Sequence, residues 1–164
     1  STPHLYEDEI KLRFITAFAE FFQKKDVVLE TCHMLMEELA DTSEYDSMIE
    51  KLLAELNDIS RQIKEHIQKN ASEAQNQEEY SLKYNKLTEQ YQCKANKINK
   101  EKKRLIEYKS KIEVMSAFIR TLQDTKETLQ FFDDDIWRIV VEKVTVFHDG
   151  RMIFQFIDGT EIEA

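Results

Sequence analysis

The sequence predicts a mainly α protein: a long antiparallel coiled-coil hairpin on a helical base, with a small C-terminal antiparallel β-hairpin. Three observations predict it. The 164 residues include only 2 Gly and 1 Pro, and residues 4–149 contain neither, which a β-sandwich, barrel or doubly wound α/β fold of this size does not easily tolerate. Apolar side chains recur with alternating gaps of four and three along two stretches that mirror each other. Only near the C-terminus does the period change to two.

The first helix carries a wide apolar face of Ile10, Phe14, Ala17, Phe18, Phe21 and Phe22, with Glu7, Asp8 and Glu9 in its first turn, where the helix dipole favours acids. A second stretch, Val28, Leu29, Cys32, Leu35, Met36 and Leu39, leads to Asp41-Thr42-Ser43, read as a break or N-cap. The first seam follows at Tyr45, Ile49, Leu52, Leu56, Ile59, Ile63, His66 and Asn70. The second runs through Tyr80, Tyr84, Leu87, Tyr91, Lys94, Ile98, Glu101, Leu105 and Tyr108, then on to Ile112, Met115, Ile119 and Leu122.

Folding the chain at Gln75 pairs Asn70 with Tyr80, Ile63 with Leu87, Ile59 with Tyr91 and Leu52 with Ile98. Leu56 then faces Lys94 and Ile49 faces Glu101, layers whose aliphatic stems still cover the seam. The tip falls near 71–77, a small and polar stretch. At ~1.5 Å per residue, arms of about 27 residues make a stalk roughly 40 Å long. Residues 45–108 are thus the hairpin, and 1–44 with 109–164 a compact base. In the base, Met115, Phe118, Ile119 and Leu122 offer a surface to the wide faces of the first helices.

Near the end, Asp133-Asp134-Asp135 reads as the cap of a short helix through Trp137, Val140 and Val141. Val144, Val146, Ile153, Phe154 and Phe156 then flank Asp149-Gly150, a two-residue hairpin signal. Asp158-Gly159 marks another turn before a stub strand at Ile162. Such a ribbon is marginal alone and must rest on the helices or on a neighbouring sheet.

Net charge is −9, unevenly spread: −6 over 1–44, −4 over 45–79, +6 over 80–127 and −5 over 128–164. An acidic chain is a poor stand-alone nucleic-acid binder. The basic run Lys94, Lys97, Lys100, Lys102, Lys103 and Arg104 reads first as a solvated surface complementing the acidic arm. A DNA-backbone contact through Lys97, Lys100 and Lys103 is the alternative. Cys32 and Cys93 have no C-x-x-C context, which excludes a disulfide scaffold or a four-ligand zinc site within the chain and suits reduced thiols. No apolar run approaches the roughly 20 residues that span a bilayer, and no signal sequence is visible, so a cytoplasmic location is expected. His4, His33, His66 and His148 lack metal-ligand spacing, and no nucleophile–base pair stands out. The chain opens on Ser-Thr-Pro-His without an initiator Met, as an excised fragment would.

The run Trp137-Arg138-Ile139-Val140-Val141-Glu142-Lys143-Val144-Thr145-Val146, with Asp149-Gly150-Arg151, Phe154-Gln155-Phe156 and Asp158-Gly159-Thr160-Glu161-Ile162, resembles the closing segment of large serine recombinases. These are phage integrase and transposon resolvase enzymes that join DNA sites through a phosphoserine link. The opening Thr2-Pro3-His4, with the acidic helix start and Ile10, is similar to the segment after that family's zinc ribbon. The Gln- and Glu-bearing turn before Tyr80 resembles its coiled-coil insertion. The resemblance spans essentially the whole chain and implies a role in site-specific recombination and DNA integration. The hairpin would meet the coiled coils of other recombinase subunits, or a recombination directionality factor, to control synapsis and directionality. The chain lacks the family's catalytic serine domain and its paired zinc cysteines. It is therefore expected to be non-catalytic and to hold no cofactor, with zinc in an adjoining ribbon and DNA reached through the absent domains. The contact residues expected around the bend are Ile67, Ala71, Ala74, Tyr80, Leu82 and Tyr84. Tyr80 and Tyr84 also read as seam residues, whereas Leu82 lies off the seam. A cytosolic coiled-coil adaptor or scaffold unrelated to recombination is the alternative.

Overall fold

A computed structural model of the chain describes residues 6–164; His4 and the opening Thr2-Pro3-His4 lie outside them. The order is α1 (Glu7–Phe22), α2 (Lys25–Leu39), α3 (Ser43–Ser72), α4 (Gln77–Asp124), α5 (Asp134–Val140), β1 (Val141–Val146), β2 (Met152–Phe156) and β3 (Glu161–Glu163). The chain divides into two compact units, Asp41–Lys109 and Ser1–Ala40 with Ser110–Ala164, called here the hairpin unit and the terminal unit.

In the hairpin unit α3 and α4 run antiparallel. The rings of Tyr45 and Tyr108 lie 5.5 Å apart at one end, Glu55 pairs with Lys94 midway, and His66 meets Tyr80 near the turn. The heptad pattern dictates this pairing. All eight predicted seam positions of α3 are buried or half-buried, and of the thirteen in α4 only Tyr91 is exposed, at 36%. As far as Lys109 the residues between them on the two helices face solvent, Glu55, Ser60 and Ala95 being half-buried, whereas further along α4 Phe118 is buried and Ser116, Ala117 and Thr121 are half-buried in the terminal unit.

The turn is tighter than the 71–77 span expected. Ala71 and Ser72 are still helical and Gln77 already is, which leaves Glu73–Asn76 as the link. Its centre falls between Ala74 and Gln75, within half a residue of the fold point expected at Gln75. Tyr80 stacks on His66, and the Gln77 side-chain amide donates to the Asn70 side-chain oxygen Oδ1 at 3.1 Å.

The terminal unit has a core rich in aromatic rings. Phe14, Phe18 and Phe21 of α1, Phe118 and Leu122 of α4, Val140, and Met152, Phe154 and Phe156 of β2 are fully buried together with Cys32 of α2. Phe21 stacks on Phe156 with centroids 4.1 Å apart, and Phe14 meets Trp137 edge-on at 4.9 Å. The α2 face is narrower than expected, because Leu35 is 41% exposed. Lys25 donates to the Thr125 carbonyl at 2.5 Å, covering the C-terminus of α4 with a cation as the dipole favours.

The three strands form one antiparallel sheet in the order β1-β2-β3, with a register shift between Val141 and Lys143. Strand β2 buries Met152, Phe154 and Phe156, while Ile153 is half-buried on the alternate face. Met152, not Ile153, therefore belongs to the core. Val141, expected at the end of the short helix, instead opens β1.

The link between β1 and β2 is longer than a two-residue turn. The Phe147 N–H donates to the Arg151 carbonyl at 2.9 Å, enclosing His148, Asp149 and Gly150. The β2–β3 link repeats this, with Phe156 N–H to Thr160 O at 2.8 Å. Three-residue loops of this kind need a left-handed residue last; Gly150 and Gly159 supply it at φ +87° and +90°. Arg13 of α1 clamps the sheet, its Nη1 donating to the Gly150 carbonyl at 2.6 Å and the Ala164 carbonyl at 3.2 Å.

Candidate functional site

The turn of the hairpin is built by caps and a stack. The Asn76 side-chain oxygen accepts from the N–H groups of Glu78 and Glu79 at 3.0 and 3.3 Å, satisfying two of the donors that a helix start leaves free. The Glu73 N–H donates to the Lys69 carbonyl at 3.0 Å and closes α3. One turn inward, His66 is 9% exposed on the seam, and its Nε2–H donates to the Tyr80 carbonyl at 3.0 Å. Its ring stacks on Tyr80 at 4.5 Å, and Tyr80 on Tyr84 at 6.1 Å. This ladder fixes the relation of the two arms close to the turn.

Around it the predicted contact residues divide into two sets. Tyr80 and Tyr84 are half-buried members of the seam ladder. Ala71 at the end of α3 and Ala74 in the link are exposed, Ile67 is 44% exposed and Leu82 is 67% exposed. Leu82 lines a shallow groove with Gln62, Lys83, Lys86 and Gln90. Gln62 precedes the seam residue Ile63, whereas Ile67 follows the seam residue His66, so Ile67 and Leu82 mark opposite flanks of the hairpin.

The basic run of α4 is partly neutralised. Lys94 pairs with Glu55 and holds the Glu55 carboxyl below the usual carboxylate range, chiefly by their hydrogen bond, with Lys51 and Lys97 adding attraction. Lys103 lies 3.9 Å from Glu107. Lys97 and Lys100 are exposed and form no ion pair among the described residues.

Further inward, Glu101 is a buried carboxylate on the seam, 7% exposed. Arg104, one turn along the same helix, donates to its two oxygens at 3.1 and 3.3 Å. Two features of the site were not anticipated. The Asn76 cap carries a sequence signal, Asn76-x-x-Glu79, the spacing of a helix start. The bond from His66 to a backbone carbonyl carries none.

Among the described residues no group of three or more His, Cys, Asp or Glu is arranged to hold a metal ion, and no helix is long and apolar enough to cross a membrane. Comparison of the chain with protein-family models, with curated proteins and with solved structures returned no match.

Proposed function

We propose that this chain is the coiled-coil interaction module of a site-specific serine recombinase, acting through subunit–subunit contacts that control synapsis and directionality. The observation that carries it is the self-paired hairpin. Its seam is consumed by its own two arms, so a partner meets only the turn and the outer faces. There Ile67, Ala71, Ala74 and Leu82 stay exposed beside the His66–Tyr80–Tyr84 ladder. A small, stiff contact of this kind is weak alone and gains force when several subunits are held on DNA together. The recombination setting rests on the resemblance of residues 137–162, the stretch that folds into α5 and the sheet.

On this reading the chain does no chemistry. The serine nucleophile and a zinc ribbon belong to adjoining domains of a cytoplasmic parent, and they hold the DNA. The partners are hairpins of other subunits and a directionality factor. The test is made in the full-length parent, with Ile67→Glu and Leu82→Glu together. Helicity and binding to a single DNA site are expected to stay unchanged while paired-site complexes fall at least about tenfold, ~1.4 kcal/mol of contact energy. Undiminished pairing removes the turn as the contact. A parent without any recombination activity returns the hairpin to an adaptor or scaffold.

A second reading has one observation in its favour, the unpaired exposure of Lys97 and Lys100. Charge reversal at Lys97, Lys100 and Lys103 would then flatten the salt dependence of DNA binding, and an unchanged slope would eliminate it.

A further inference from the structure

The link between α3 and α4 lacks what usually stops a helix. Glu73–Asn76 contains neither Gly nor Pro, and among the described residues only Gly150 and Gly159 have positive φ, whereas helices commonly end on a left-handed residue. The chain breaks at Glu73, at φ −133° and ψ 143°. Glu73, Ala74, Gln75, Gln77 and Glu78 are nevertheless strong helix formers. What holds the break is small and exposed: the two bonds to the Asn76 side chain and the bond from Gln77 to Asn70. The N–H groups of Ala74, Gln75, Asn76 and Gln77 meet no protein acceptor among the described residues. In a continuous helix each meets the carbonyl four residues back.

The heptad repeat also runs through the link without a slip. From Asn70 the next positions are Glu73, Gln77 and Tyr80, at gaps of three, four and three. A turn absorbs any difference in phase between its arms, so a hairpin does not require this continuity. One helix running from α3 into α4 does. The contacts that build each unit, moreover, join residues before the link to residues after it. Glu55 pairs with Lys94, Phe21 stacks on Phe156 and Arg13 donates to the Gly150 carbonyl. A second copy supplies every one of these when the two chains cross over at the link.

We propose that two copies of this chain exchange halves at Glu73–Asn76, the residues before the link of one copy packing on the residues after the link of the other. In each copy α3 and α4 are then one helix. The two helices cross antiparallel about Gln75, with Glu73 of one copy facing Gln77 of the other. Exchange keeps the seam and the aromatic core and replaces the Asn76 cap by backbone hydrogen bonds, so the dimer needs no new surface. The closed chain prevails when dilute, because its halves meet at an effective concentration near millimolar. Both units must open for the halves to part, so exchange takes place during folding. The proposal rests on the seam and the link and not on the recombination reading. Where that reading holds, the exchanged dimer has no turn to offer and exchange withdraws the contact.

The intact chain is refolded from denaturant at about 1 µM and about 1 mM, either side of that effective concentration, then diluted and sized by light scattering. Monomer is expected from the first and a dimer fraction from the second. Asp58→Cys separates exchange from surface association. Asp58 and Cys93 line one groove between the arms, and Cys32 is buried. A short bis-maleimide is therefore expected to join the two thiols within one chain in the monomer and between chains in the dimer, with the wild type, bearing Cys93 alone, as control. Asn76→Ala is expected to raise the dimer fraction at least about fivefold by removing the cap. Ala74→Pro, placed after an extended residue as Pro prefers, is expected to lower it at least about tenfold by blocking the continuous helix. Ala74→Gly, which leaves the closed link free to form, is expected to lower it at least about threefold. No dimer from about 1 mM in the wild type and in Asn76→Ala, cross-links confined to single chains in the dimer, or a dimer fraction untouched by both changes at Ala74 would overturn the proposal.

Discussion

Cys32 and Cys93 show how differently one residue type behaves in two settings. Cys93 is exposed on α4, whereas Cys32 is buried in the terminal unit. Burial pushes the Cys32 thiol from its ordinary 9.0 up to about 11, with the Asp158 charge adding to it. A thiol reagent is therefore expected to modify one cysteine of the native chain quickly and the second only on unfolding, as read by mass. The folded state favours the protonated thiol, so its contribution to stability is intact below pH 9.0 and declines as pH rises towards about 11. Denaturant titrations across that window should show the decline in the wild type and less of it in Cys32→Val. Glu101 offers a second test. A carboxylate held on an apolar seam by a partner from its own helix bears a desolvation cost, and apolar replacement of such groups is often neutral or stabilising. Glu101→Leu is expected to raise hairpin stability by about 1 kcal/mol, measured by thermal unfolding; a drop of that size would show that the Arg104 pair outweighs its desolvation.

At the scale of elements, α4 and α5 begin where a side-chain oxygen replaces the missing backbone acceptors, whereas α1, α2 and α3 start without a side-chain bond from their N-cap residue. Asp133 accepts from the N–H groups of Asp135 and Ile136, each at 3.0 Å, and Asn76 does the same for α4. Asn76→Ala should cost about 1 kcal/mol and increase hydrogen exchange at Glu78 and Glu79, while Asn76→Asp should not. Seam positions were legible because period and burial coincide residue by residue. The turn was legible only to within a few residues, since Ala71, Ser72 and Gln77 suit a helix end and a loop equally well. The loops of the sheet went the same way. Asp-Gly marks both, but the choice between a two- and a three-residue link lies with the register of the flanking strands, as Val146 pairs with Met152 and Phe147 closes on Arg151.

On the scale of the whole molecule, the two units are stabilised differently. The hairpin unit buries a narrow seam, and the terminal unit a continuous aromatic core drawn from both ends of the sequence. Multi-unit chains of this kind depart from a single transition. Trp137 belongs to the terminal unit, while helical circular dichroism is weighted towards α3 and α4, so the two signals should not coincide on denaturation. Ile98→Ala, at a seam position, should lower the earlier helical transition by about 2 kcal/mol and leave the Trp137 transition in place; Phe154→Ala should lower the latter by about 3 kcal/mol. Coincident curves in both variants would show one cooperative block. The sequence by itself determined the helical class, the reversal of the chain and the seam, because a heptad repeat states in one dimension which side chains meet. The tertiary structure alone decided that His66 grips the Tyr80 carbonyl and that Ile67 and Leu82 lie on opposite flanks. Those relations join residues from different helices and depend on turn lengths and burial, which no local pattern encodes.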